Sequence, residues 1–270
     1  MNELHEDNRA HWNAWAPRWK ELKETMDWDR CHLDPTIRFG PVELETMGDV
    51  AGKSACVFAS GDNRAVFALV GMGAAVTSVD ISENQLQVAR ERAAQIGLEI
   101  RFIRSDATSV PELGDGEFDL VFMGSGAICW FSDLGAVCRE ATRVLKDGGQ
   151  LILRDTHPFS ALLGEPKTPL KIAFSYFERG PHTTEEGDGL RGSGMALCGN
   201  VTGGPHTTEE GDGLREHLFH WTIADQFKAI TEAGCDVVKI EEWGKAEWDD
   251  SPASRVPGAF YIVGKKRPSK

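Results

Sequence analysis

Cys56-Val57-Phe58-Ala59-Ser60-Gly61-Asp62-Asn63, followed by Thr77-Ser78-Val79-Asp80, decides the fold of this 270-residue chain. Ser54 to Ala59 is a short apolar run suited to a strand buried on both faces. Gly61 permits a tight turn, and Arg64 to Val70 then reads as a helix. The first turn of such a helix leaves backbone N–H groups without intrahelical partners. An acid at the tip of the next strand, Asp80, accepts hydrogen bonds from two vicinal hydroxyls. Together these features make a site for the ribose of a nucleotide-like cofactor.

The same rhythm continues outward. Further strands are expected at Ala75 to Val79, Ile100 to Ile103, Phe118 to Met123 and Gln150 to Arg154. Helices are expected at Glu83 to Ile96, capped by Ser82, and at Leu134 to Leu145, capped by Asp133 or Ser132. Lys146-Asp147-Gly148-Gly149 supplies a helix stop and turn. Alternation of this kind predicts an α/β, doubly wound, mostly parallel sheet with its ligand crevice beyond the carboxyl ends of the strands. After residue 218, Ile223 to Ala233 reads as a helix ended by Gly234. Asp236 to Glu242 and Gly258 to Gly264 read as a closing strand pair.

Two segments fall outside the rhythm. In residues 1–50, a helical cap, Trp12, Trp15, Trp19 and Leu22 recur at helical spacing from Asn8 to Lys23, with Pro17 set to kink the helix or start a second one. The stripe reads either as packing or as a lid over a pocket. Residues 157–218 form an insertion in which Gly180 to Arg191 recurs unchanged as Gly204 to Arg215. Two identical acidic copies do not make a solenoid, so a recent tandem duplication is the simpler reading, with a long mobile loop over part of 185–210. The chain therefore divides into the cap, a cofactor-binding core at 51–156, the insertion at 157–218, and a helix with a strand pair at 219–266.

Lys and Arg number 29 against 42 Asp and Glu, a formal net charge of -13, which argues against a nucleic-acid partner. Lys265-Lys266-Arg267 reads as a solubilising tail. The six cysteines are scattered, with no metal-site spacing, and read as buried small residues. The acidic start lacks a signal-peptide pattern and no apolar run reaches membrane-spanning length, so a cytoplasmic protein without a membrane partner is expected. Composition is silent on oligomeric state.

In the order of these motifs the chain resembles the class I S-adenosylmethionine-dependent methyltransferases, in particular the small-molecule, ubiquinone/menaquinone-type group. Val57 to Leu69 resembles the family's first motif, Val79-Asp80-Ile81-Ser82 the second, and Arg104-Ser105-Asp106-Ala107 the segment whose acid receives the adenine amino group. Phe118 to Val121 and Arg143 to Gly149 with Leu151-Ile152 resemble its fourth strand and its helix, turn and fifth strand. The resemblance implies a Rossmann-like seven-stranded sheet with an antiparallel C-terminal strand and a lid insertion. It also implies S-adenosylmethionine as cofactor and methyl transfer to a small-molecule acceptor. The cofactor residues it points to are Ser60, Gly61, Asp62, Asn63, Asp80, Ile81, Ser105, Asp106, Ala107, Met123 and Gly124. One departure stands out: where the family has an acid and three glycines, this chain has Ala59, Gly61, Asn63 and Ala65. That leaves open an inactive cofactor-binding regulatory protein. An NAD-dependent oxidoreductase is disfavoured because G-x-G-x-x-G is absent.

Methyl transfer from a sulfonium needs alignment and exclusion of water, and a base only where the acceptor must lose a proton. His157, after the fifth strand, and His220, where the chain returns from the insertion, are the candidate catalytic residues. A capping histidine is the competing reading of each. Tyr176 reads as packing in a lid strand, Met123 to Ile128 as either a donor-facing loop or a plain turn, and His182 and His206, in the duplicated segment, carry no assigned chemistry.

Overall fold

The computed structural model describes residues 2–61, 63–124, 126–161, 176–177, 179–185, 214–244 and 256–269. Strands β1 (Ser54–Phe58), β2 (Ala75–Asp80), β3 (Arg101–Arg104), β4 (Phe118–Gly124), β5 (Leu145–Thr156), β8 (Cys235–Trp243) and β9 (Ala259–Lys266) form one sheet, with β6 (His182–Glu185) and β7 (Arg215–Leu218) lying outside it. The seven strands run in the order β3-β2-β1-β4-β5-β9-β8. Strands β1 to β5 pair in parallel, and β9 is antiparallel to both β5 and β8. The expected closing strand pair is thus present, with β9 seated inside the sheet and β8 on its edge.

Strict alternation along the strands puts successive side chains on opposite faces. Cys56, Phe58, Val121, Leu151 and Leu153 pack with α5 (Leu134–Val144) and α7 (Ile223–Glu232). Ala55, Val57, Leu120 and Ile152 pack against α3 (Arg64–Gly71) and the segment that carries α2 (Pro41–Met47). Both faces are covered, which is why these strands read as unbroken apolar runs. The close fit of α3 rests on Gly71, where a Cβ would lie 1.9 Å from the His32 carbonyl oxygen.

Three local expectations are revised. First, α1 (Glu3–Lys23) is one continuous helix, capped by the Asn2 side chain, which accepts from His5 N at 2.8 Å. Pro17 costs the helix one N–H, and the side-chain amide of Asn84 donates to the Asn13 carbonyl one turn earlier at 3.0 Å. Second, β5 begins at Leu145, directly after α5, so the Lys146–Gly149 turn lies within an irregular strand start, with Gly148 at φ +77°. Third, the basic C-terminus is employed structurally: Lys266 donates to the Leu145 carbonyl at 2.6 Å and Arg267 to the Thr231 carbonyl at 2.8 Å, beside the C-terminal ends of α5 and α7.

Helix α4 (Glu83–Gln95) is capped by Ser82, and α5 by Asp133 rather than Ser132. The short α6 (Pro158–Ala161) follows β5 directly. Five cysteines are buried thiols outside any disulfide, while Cys198, His206 and most of the duplicated segment, including the expected mobile loop, lie outside the described residues. Of that segment, His182 to Glu185 pairs antiparallel with Arg215 to Leu218.

Candidate functional site

The turn between β1 and α3 is built from three left-handed residues, Ala59 (φ +48°), Gly61 (φ +52°) and Asn63 (φ +61°). A Cβ makes this geometry costly by roughly 1–2 kcal/mol at Ala59, while Asn adopts it readily. Asn63 is 1% exposed and points inward: its amide donates to the Gly61 carbonyl at 2.7 Å and its oxygen accepts from the Ser78 hydroxyl at 2.7 Å. Ser60 Oγ lies 2.8 Å from the same Ser78 hydroxyl. The Asn63 side chain therefore holds the turn from beneath. Asp62 lies outside the described residues.

Register places the other expected cofactor residues along the same edge. Phe58 pairs with Val79 on one side and Met123 on the other, and Asp80 pairs with Arg104. The Asp80 carboxylate accepts from Gly61 N and from Ser82 N, both at 2.9 Å, leaving lone pairs on each oxygen. Burial raises its pKa, against the opposing pull of backbone N–H groups from Ser82, Gly61 and Ile81. Ser105 N donates to the Asp80 carbonyl at 3.0 Å, which ties β3's end to β2's, and Ser105 Oγ donates to the Ser109 carbonyl at 3.0 Å. Ala107 is buried and Ile81 half-buried. Gly124 ends β4 where a Cβ would meet the Arg154 carbonyl oxygen at 2.2 Å, so strand packing alone requires a glycine there.

Helix α1 roofs this edge with polar side chains. His5 Nε2 accepts from Ser132 N at 3.1 Å, so in the neutral ring the hydrogen is on Nδ1, which donates to Asp106 Oδ2 at 2.7 Å. Thr108 satisfies the other Asp106 oxygen through its N–H at 2.9 Å and hydroxyl at 2.8 Å. Burial pushes the Asp106 pKa up, but the bonds from His5 and Thr108 outweigh it and hold the carboxyl below its ordinary value. Further along the helix, Asn13 Oδ1 accepts from Ser82 Oγ at 2.6 Å, and Arg9 donates to Glu83 at 2.5 Å. The tryptophan stripe forms the flank of the roof: Trp12 packs edge-on against Trp19 (5.5 Å) and Trp130 (5.1 Å).

Beyond the end of β5, on the α5/α7 face, an open pocket of about 320 Å³, its mouth included, is lined by Ile128, Cys129, Asp155, Thr156, Pro158, Phe219, His220, Trp221, Gln226 and Phe260. Asp155, 4% exposed, accepts backbone N–H bonds from Gly126 (2.7 Å), Ile128 (3.0 Å) and Thr156 (2.7 Å), and burial raises its pKa against their pull. One carboxylate thus fixes the loop that runs from β4 to the pocket wall. Gln226 is 1% exposed; its Nε2 donates to the Trp221 carbonyl at 3.1 Å, and its Oε1 has no hydrogen-bond partner among the described residues. An acceptor left so costs about 1–3 kcal/mol.

The two candidate histidines are differently placed. His157 Nδ1 accepts from Phe159 N at 3.1 Å and Nε2 donates to Glu242 Oε1 at 2.6 Å, so both nitrogens are engaged and the ring caps α6. Burial lowers its pKa, with Glu242 pulling the other way. His220 lines the pocket with its ring edge-on to Tyr176 at 5.5 Å. His5, Asn13, Asp155 and Gln226 were not singled out from the sequence. Asp155 alone carried a local signal, an acid directly after an expected strand, as Asp80 is.

Among the described residues no group of three or more His, Cys, Asp or Glu stands together to hold a metal, and no helix is long and apolar enough to cross a membrane.

Comparison with known proteins places this geometry. Residues 57–153 match a family model described as a methyltransferase domain. The demethylmenaquinone methyltransferase of Thermus thermophilus is 34% identical over 171 residues, 61% of this chain and 70% of that protein. A ubiquinone/menaquinone biosynthesis C-methyltransferase of Escherichia coli is 30% identical over 153 residues, 55% of each chain. Among solved structures, an S-adenosylmethionine dependent methyltransferase from Mesorhizobium loti superposes with a TM-score of 0.60 at 19% identity, covering 83% of this chain and 95% of that one.

Proposed function

Since the chain belongs to the class I S-adenosylmethionine-dependent methyltransferases, we propose that it methylates a small aromatic acceptor held in the pocket between β5 and α7. The observation that carries this reading is an aromatic-walled pocket at the end of β5, on the same carboxyl-end rim of the sheet as Asp80, with the ends of β1 and β4 between them. The quinone-type acceptors in the names of the Thermus and Escherichia relatives support the same class.

When bound, S-adenosylmethionine supplies a methyl group on a sulfonium whose sulfur leaves neutral. Asp80 fits its ribose: a buried carboxylate at a strand tip keeps lone pairs for two hydroxyls. Ser60, Gly61 and Asn63 would shape the turn for the methionine portion. Ser105, Asp106 and Ala107 would stand on the adenine side, and Ile81, with the buried Met123 and Gly124 behind it, would back the crevice between. Phe219, Trp221 and Phe260 hold the acceptor and exclude water, which is where alignment gains its rate. Of the two histidines, His220 sits in the pocket wall and takes a proton where the acceptor must release one, while His157 holds α6 in place.

Calorimetry with S-adenosylmethionine, S-adenosylhomocysteine and NAD tests the cofactor side. The two sulfur compounds bind, NAD does not, and Asp80→Ala weakens binding by about 1.5–3 kcal/mol. Transfer of labelled methyl from S-adenosylmethionine into a panel of phenols and hydroquinones tests the acceptor side. Cofactor binding with no label in any aromatic compound overturns the acceptor class. Turnover unchanged in His220→Ala removes its role as base.

A further inference from the structure

We infer that Asn8 is a positioning residue for the acceptor: its side-chain amide, reaching in from α1, fastens together two chain segments that wall the pocket at the end of β5. This rests on the reading of that pocket as the acceptor site.

One wall comes from the loop after β4, through Ile128 and Cys129, and another from the stretch after β7, through Phe219, His220 and Trp221. Far apart in sequence, the two meet where Phe219 N donates to the Cys129 carbonyl at 2.8 Å and the Trp221 indole N–H donates to the Phe131 carbonyl at 2.9 Å. Asn8 ties them from the side of the helix. Its Nδ2 donates to the His217 carbonyl at 2.9 Å and lies 3.5 Å from the Trp130 carbonyl, while its Oδ1 accepts from His217 N at 2.7 Å. An amide that gives one bond to a residue and takes one from it copies the exchange between paired strands. It therefore sets the backbone of β7 two residues before Phe219.

Asn8 is 3% exposed and both of its bonds to His217 are buried, so removing the amide takes a partner from a backbone N–H and a C=O that lie away from water. Its neighbours on the helix grip the same strand differently. Asp7 meets the His217 imidazole at 2.9 Å and His11 meets the Glu216 carboxylate at 3.4 Å, both contacts being to side chains. On either side of Asn8, His5 and Asn13 bond Ser132 and Ser82, so α1 stays seated on the cofactor rim when the Asn8 amide is lost. What moves is the wall. A shift of Phe219 or Trp221 misplaces an acceptor ring against the methyl donor, an error of alignment that leaves the cofactor's own contacts intact.

The test compares the full chain as wild type, as Asn8→Ala and, for a control on the same helix, as Asn13→Ala, which loses the bond to Ser82. Hydrogen–deuterium exchange is followed over residues 128–131 and 217–221, and 1-naphthol is titrated by calorimetry into protein saturated with S-adenosylhomocysteine. Asn8→Ala exchanges about five- to tenfold faster in both segments and binds naphthol about fivefold more weakly, the factor of one ordinary hydrogen bond, with affinity for S-adenosylhomocysteine kept within about twofold. Asn13→Ala keeps exchange in those segments within about twofold of wild type. Unchanged exchange in Asn8→Ala overturns the inference. So does equal loosening in Asn13→Ala, an Asn8→Ala protein that does not fold, or a loss of S-adenosylhomocysteine affinity as large as that of naphthol, since each gives Asn8 a role in the helix or the fold as a whole. Faster exchange with naphthol affinity unchanged, or a wild-type protein that binds S-adenosylhomocysteine and no naphthol, sinks instead the reading of the pocket as the acceptor site and takes the inference with it.

Discussion

His5 donates to Asp106 across 2.7 Å, joining a residue at the start of the first helix to the end of β3. The same imidazole accepts from Ser132 N at 3.1 Å, so one ring connects the helix, Asp106 and the loop before α5. The helix is held here by polar bonds to the rim of the crevice, with His5 and Asn8 fully buried and the tryptophans half-buried. A latch of this kind governs escape of cofactor more than its intrinsic fit. His5→Ala is expected to speed S-adenosylhomocysteine dissociation about five- to tenfold, in stopped-flow fluorescence, and to lower stability by about 1–2 kcal/mol as Ser132 N loses its acceptor. An unchanged off-rate would show that the roof does not gate the crevice.

Ala59 stands where related chains carry an acid, and it adopts φ +48°. Left-handed geometry costs a residue with a Cβ roughly 1–2 kcal/mol, and glycine's extra freedom in the unfolded chain returns about 0.5–1 kcal/mol of that. Ala59→Gly is therefore expected to stabilise the protein by about 0.5 kcal/mol in urea unfolding, with cofactor affinity kept. Asn63→Gly, although it restores a family glycine, is expected to destabilise by about 1 kcal/mol because Ser78 and the Gly61 carbonyl lose partners.

These two positions show why the core was legible from sequence and the roof was not. Strands buried on both faces announce themselves as apolar runs between turn residues, and their order fixes the crevice, so Asp80 and the Ser105–Ala107 end are found by counting elements. Asn63 was legible as a left-handed residue because few side chains tolerate that geometry. His5, Asn13 and Gln226 make their bonds to residues far away in sequence or within a loop return, and no local periodicity marks a side chain for a partner such as Ser132. Pro17 left a kink or a second helix open, and α1 excludes only the second: the cost of a proline inside a helix depends on whether the orphaned carbonyl finds a donor, and Asn84 comes from another helix.

The His157 ring titrates against its surroundings. Burial lowers its pKa from the ordinary 6.5, so the folded state favours the neutral ring more than the unfolded chain does. As pH falls through the unfolded value the unfolded chain takes up the proton first, and the folded protein loses stability until the lower folded pKa is passed. Wild type is expected to lose more stability than His157→Gln between pH 7.5 and pH 5, in denaturant titrations at each pH. Parallel losses in the two proteins would place the acid sensitivity elsewhere.

Asp155 works in the opposite sense. Burial raises its pKa above the ordinary 3.8 despite three backbone N–H donors, so its contribution to stability is fully present below the unfolded value and is lost as pH rises through the folded one. Asp155→Asn removes this titration and turns an amide N–H₂ toward one of the converging donors, at Gly126 or Ile128. The variant is expected to be less stable than wild type by about 1–3 kcal/mol, the cost of buried donors left unpaired. The gap between the two proteins should narrow from pH 3.5 to pH 7, because only wild type has a buried carboxylate to ionise. Thermal unfolding at both pH values reads this directly, and a gap that widens with pH would mean that the N–H groups stabilise the ionised carboxylate more than burial penalises it.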